Sequence, residues 1–281
     1  MCNKRLPRKI TLYIFGLVDK LTLGLIRRKA RNVLVFHEVS KQPSGHSRAM
    51  ETHVKTEDAI TLLRNLINQL HRHRLENLTV TFDDGYRIPN EILNLLRQEG
   101  IRTIFFLNAS TIEFGINWDA LKSFRRDSLI IPSTEVEVLK VLSDLQRDFE
   151  FLEYQGTYFT AKDCINLSRS SNFQLGEHIY LHESANKFGQ KLAHNLLRRS
   201  QKIFSKLGTK PASFAWPYGE ISYEYRIRLK EFGFSEIYGG ALRKFQNTDY
   251  PDIARVQVDL NTKTKYEIRG ALFLNRIFGS V

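Results

Sequence analysis

Seven short apolar runs rich in β-branched and aromatic residues recur along the chain, at Val33–Phe36, Leu78–Phe82, Thr103–Leu107, Phe173–Leu175, Ser213–Trp216, Glu236–Tyr238 and Ala254–Val258. Near-continuous apolar character over so few residues marks strands buried on both faces, because a strand with one wet face would alternate. Segments with helical spacing lie between them, among them Glu57–His71, Ile88–Arg97, Lys187–Phe204 and Ser222–Phe232. Strand then helix, repeated, predicts an α/β fold with a parallel sheet. With about seven strands, a distorted (β/α) barrel is expected over an open doubly wound sheet, and barrels carry their chemistry at the C-terminal strand ends. His37 ends the first run, Asp83 and Asp84 end the second, His178 follows the fourth, and Pro217 and Tyr218 follow the fifth.

The expected organisation is a basic, apolar helical segment at 1–31 followed by a barrel over 32–281, with an insertion at about 111–160. The stretch Thr111–Thr160 is long, polar and partly helical at Thr134–Glu153, where compact connections run to about 4–6 residues. It reads either as a rim that shapes access to the site or as a mobile surface excursion. The apolar stretch Ile10–Ile26 is broken by Asp19 and Lys20 and flanked by Lys and Arg, which makes it a poor membrane span. An interfacial helix on an anionic membrane face and a helix capping the barrel both fit it. No small-residue cleavage site follows, so a cytoplasmic or membrane-peripheral location is expected over export through a cleavable leader. The net charge of +12 suits either an acidic partner or a solvated basic surface, and without an aromatic-basic recognition motif no nucleic-acid partner is expected. Two cysteines, Cys2 and Cys164, support neither a disulfide framework nor a zinc ribbon.

Two adjacent carboxylates at the end of a buried strand, in Thr81-Phe-Asp-Asp-Gly-Tyr86, are costly to desolvate unless a cation or hydrogen bonds offset their repulsion. With a cation on one carboxylate, the other stays basic enough to take a proton from water. Taken alone, Asp-Asp-Gly also describes a common turn. Gly176-Glu-His-Ile-Tyr-Leu-His182 adds two imidazoles, which with a carboxylate make a two-His, one-carboxylate site; two unrelated surface histidines are the alternative. As a continuing strand this segment would hold the histidines ~13 Å apart, too far to share one ion, so the strand must end near Glu177 and the chain must turn.

These segments resemble the polysaccharide deacetylases, carbohydrate esterase family four, with the NodB-homology fold, over roughly Asn32–Val258. The resemblance implies that Asp83 is the general base, that Asp84, His178 and His182 hold a divalent metal, Zn²⁺ by preference, and that Phe214-Ala-Trp-Pro-Tyr-Gly219 lines the groove. Trp216, Pro217 and Tyr218 are thereby assigned to substrate and oxyanion, the last through its backbone N–H. Val33-Leu-Val-Phe-His-Glu-Val39 resembles the early strand of the poly-N-acetylglucosamine deacetylase branch, which makes His37 the candidate catalytic acid, with a structural strand-end histidine as its alternative. The chain departs from the family pattern at Ile179, where a hydroxyl residue is usual, at Glu183, where proline is frequent, and at Phe214–Ala215, where an arginine is frequent. Arg255 is the candidate replacement for that arginine, or else a surface residue, and His46 and His53 read as surface residues.

The implied activity is metal-dependent hydrolysis of the N-acetyl group of an amino sugar in a polysaccharide or glycolipid, releasing acetate. The alternatives are deacylation or deformylation of a lipid-linked sugar, with peripheral membrane association through residues 1–31, and an inactive carbohydrate-binding homologue.

Overall fold

The computed structural model describes residues 32–73, 78–125, 132–183, 187, 190–219, 223–239, 253 and 255–258. The expected helix at 1–31 lies outside them. Among the described residues, no helix is long and apolar enough to cross a membrane.

The strands are β1 (Asn32–Phe36), β2 (Val39–Ser40), β3 (Val54–Lys55), β4 (Leu78–Phe82), β5 (Arg102–Leu107), β6 (Phe173–Glu177), β7 (Ser213–Ala215), β8 (Glu236–Tyr238) and β9 (Val256–Gln257). Seven of them form one parallel sheet in the order β8-β7-β6-β5-β4-β1-β9, and β2 and β3 form a separate parallel pair. The sheet curls until its edges meet: Ile253, just upstream of β9, bridges Tyr238 of β8, while Val256 of β9 pairs with Leu34 of β1. The expected seven-stranded distorted barrel is the observed fold.

Side chains alternate between two environments. Val33, Ile104, Phe106, Ala215 and Tyr238 point into the narrow interior and pack on one another. Gly176 is needed there, because a Cβ on it would stand 2.4 Å from Phe106 Cδ1. The opposite faces of the strands pack under helices in two further clusters, one around Phe36, Phe82 and Phe105, the other around Ile179, Leu196, Phe214 and Trp216.

The described residues of Thr111–Thr160 are packed, not a loose excursion. They include the helices Trp118–Phe124, Glu135–Leu145 and Phe149–Gln155, whose Trp118, Leu121, Val138, Leu142 and Phe151 join the same cluster as Ile179, Tyr180 and Leu181. The caps are local: Asn117 accepts from the Asp119 and Ala120 N–H groups, and Thr134 with Glu137 forms a reciprocal capping box. The segment therefore backs the turn that carries the paired histidines. His46 and His53, expected at the surface, are buried at 3% and 1% exposure: His46 Nδ1 lies 3.1 Å from Ser123 Oγ of the helix Trp118–Phe124, and His53 Nε2 meets Ser40 O of β2 at 3.1 Å.

Candidate active site

Strand ends gather the candidate residues. The register Phe36↔Phe82 sets the first residues beyond β1 and β4, His37 and Asp83, side by side, and Asp83 N donates to Phe36 O at 2.9 Å. Strand β6 stops at Glu177, and His178 N donates to Leu107 O, the last bond before the chain turns. The turn is tight because Ile179 takes φ 61, a left-handed conformation that costs a β-branched residue about 1–2 kcal/mol. Asn108 stabilises it, donating from Nδ2 to the carbonyls of His178 (2.7 Å) and Ile179 (3.1 Å). Asp84 (φ 66) and Tyr218 (φ 57) are also left-handed, so three of the four non-glycine residues with positive φ among the described residues border the candidate site, as strain at a functional centre would.

The two neighbouring carboxylates have different partners. Asp83 Oδ1 receives a 2.6 Å bond from Arg255 Nη1, and Arg255 is 4% exposed, so it is no surface residue. Its Nε donates to Gly239 O, and its guanidinium lies over the Phe106 ring at 5.5 Å. Burial pushes the Asp83 carboxyl up, but the Arg255 guanidinium, with His178 and His37, brings it below the usual range. Asp84 Oδ1 instead stands 3.3 Å from His178 Nε2 and 3.1 Å from His182 Nε2 and has no hydrogen-bond partner among the described residues. Burial opposes ionisation of Asp84 too, and the two imidazoles and His37 overcome it.

These three atoms suit a cation. Ligand atoms each ~2.1 Å from one ion at tetrahedral angles lie ~3.4 Å apart, and the two separations from Asp84 Oδ1 are close to that. His178 Nδ1 donates to Ala215 O at 2.9 Å, which fixes the tautomer and turns the Nε2 lone pair toward Asp84. Nitrogen and oxygen donors in this ratio fit Zn²⁺ and several other divalent ions.

Not every expected residue faces the opening. Trp216 is 2% exposed and packs on Phe214 and Tyr225, so its side chain belongs to the core. Tyr218, in that turn, is 38% exposed, and its ring lies 5.0 Å from that of His182. His37 is partly exposed beside the aspartates, and its Nδ1 has no hydrogen-bond partner among the described residues. Sequence reasoning passed over Asp119, whose Oδ2 is 3.5 Å from His182 Nδ1 and whose Oδ1 receives the Tyr218 hydroxyl and, at 2.7 Å, the Lys122 ammonium. The only local sign of it was a carboxylate in the first turn after a good N-cap, Asn117.

Known proteins share this fold. A polysaccharide deacetylase from Bacillus cereus superposes with a TM-score of 0.58 at 12% identity, covering 87% of this chain and 69% of its own. IcaB from Ammonifex degensii gives a TM-score of 0.57 at 17% identity over 87% of this chain and 97% of its own. A de-N-acetylase from Aggregatibacter actinomycetemcomitans gives 0.54 at 15% over 84% and 97%. At such identities the likeness is one of fold. No curated protein sequence matches the chain. The family model for polysaccharide deacetylase matches residues 74–237, more than half of the 281. The chain belongs to the polysaccharide deacetylase family, hydrolases of carbon–nitrogen bonds other than peptide bonds.

Proposed function

We propose that this chain hydrolyses the N-acetyl group of an amino sugar carried in a polysaccharide or glycolipid. The observation that carries the reading is the division of labour between adjacent carboxylates, Asp83 held by Arg255 and Asp84 facing the Nε2 atoms of two imidazoles. Asp84, His178 and His182 would hold a divalent ion, Zn²⁺ being the first choice. Such an ion, when bound, polarises an amide carbonyl and makes water more acidic.

The remaining work falls to the chain's own groups. Asp83, deprotonated and oriented by Arg255, takes a proton from the attacking water, whose oxygen forms a bond to the acyl carbon. The Tyr218 N–H donates to the oxygen that becomes negative, and the left-handed Tyr218 backbone supports that aim. When the C–N bond breaks, His37 gives its proton to the leaving amine, and acetate and a free amino sugar depart. His37 suits this role by its partial exposure and its position one strand from Asp83.

The test is acetate release from N-acetylglucosamine oligomers by zinc-loaded and chelator-stripped protein. Release from the loaded form alone is expected. Binding of zinc without release from acetylated or formylated sugars would defeat the proposal.

A further inference from the structure

Both imidazoles of the proposed cation site need something to hold the nitrogen that faces away from it. For His178 this is the Ala215 carbonyl. For His182 the described residues offer no hydrogen bond to Nδ1, although the residue is only 6% exposed, and the nearest acceptor is Asp119 Oδ2 at 3.5 Å. We infer that Asp119 is a positioning residue that receives the His182 Nδ1 proton and so presents the Nε2 lone pair to the site shared with Asp84 and His178. The inference rests on the reading of those three residues as a cation site.

The surroundings of Asp119 give it that orientation. Its Oδ1 is engaged by two donors, the Tyr218 hydroxyl and Lys122 Nζ, the latter also 2.7 Å from the Tyr218 oxygen. That leaves Oδ2 for His182, with His46 Nε2 behind it at 3.9 Å. His46 is fixed in turn, its Nδ1 3.1 Å from Ser123 Oγ on the same helix as Asp119. One carboxylate thus joins the histidine wall to the turn whose N–H is proposed to meet the oxyanion. A 3.5 Å separation is longer than a hydrogen bond, and contacts of this kind commonly tighten when a site is loaded. A carboxylate is also a stronger acceptor than a carbonyl.

Asp119→Asn separates this role from a purely structural one. Lys122 can only donate, so an amide must keep its oxygen on the Lys122 and Tyr218 side and turn its NH₂ toward His182. The anchoring contacts survive, but His182 Nδ1 must now accept, which places the proton on Nε2 and blocks the cation.

The experiment is zinc titration against a competing chelator, together with the visible spectrum of the cobalt-loaded protein, for wild type, Asp84→Asn and Asp119→Asn. One equivalent bound by wild type and none by Asp84→Asn is required by the underlying reading. Asp119→Asn is expected to weaken zinc binding about 10–100-fold and to alter the cobalt spectrum with its melting temperature preserved. Wild-type affinity in a folded Asp119→Asn protein would overturn this inference alone; failure of wild type to bind would overturn the cation reading and this inference with it. Should Asp119→Asn not fold, imidazole nitrogen shifts of zinc-loaded wild type decide the point. A proton on His182 Nδ1 supports the inference, and a bare Nδ1 ends it.

Discussion

The two sides of the site are completed by different means. On the side toward the barrel axis, Asp83 and Arg255 neutralise each other, and the guanidinium is further held by Gly239 O, Thr81 Oγ1 and the Phe106 ring. On the side toward the helices, Asp84 Oδ1, His178 Nε2 and His182 Nε2 converge without hydrogen-bonding one another. The first side is satisfied by protein alone, whereas the second sets three donor atoms together in the arrangement proposed to hold a cation. In that proposal a base and a cation seat are adjacent in sequence yet chemically distinct.

The largest effect should come from exchanging charge for amide on each side in turn. Asp83→Asn is expected to lower kcat/KM by about 10²–10⁴-fold, the usual worth of a general base, with zinc affinity unchanged. Asp84→Asn is expected to lose zinc binding and activity together. Parallel titrations and acetate assays check both, and loss of zinc by Asp83→Asn would erase the distinction.

Arg255→Met probes the self-sufficient side next. It leaves the Asp83 charge buried and unpaired, so a loss of about 3–5 kcal/mol in urea unfolding is expected. The double variant with Asp83→Asn removes both charges and should recover much of that loss. Equal instability of the single and double variants would mean that Arg255 matters for packing on Phe106 and not for charge.

The sides also differ in how readily the sequence reveals them. Strand ends announce themselves, because β4 is an apolar run that stops at Asp83, and the four-residue spacing of the histidines demands that β6 end before the turn found at Ile179. Arg255 is harder, since a lone arginine before a valine becomes a buried ion pair only through contact with a residue 172 positions away. Asp119 was missed because it lies where the strand-helix rhythm breaks, and the capping signals of that stretch specify short helices without saying what they pack against. His46 and His53 misled for a related reason: the two-residue strand β2 that meets His53 is too short to leave a periodic signature, and His46 is buried against Ser123 and Asp119, more than 70 positions away in sequence.

The smallest expected effect is a dependence on pH that belongs to one side only. Burial lowers the basicity of His182, but Asp84 and Asp119 outweigh it and push its pKa up to about 9 in the metal-free protein, above the ordinary 6.5. A raised value means that the charged imidazole stabilises the fold fully below about pH 6.5, and that this contribution is lost as pH rises through about 9. The Arg255–Asp83 pair has no such window, because Asp83 titrates below the usual carboxylate range. Metal-free wild type should therefore lose urea stability between pH 6.5 and 9, and His182→Gln should lose less. Zinc loading should reverse the slope, since a ligating imidazole must be neutral and binding releases its proton. The same decline in His182→Gln as in wild type would place the titrating group elsewhere and remove the electrostatic contrast between the two sides.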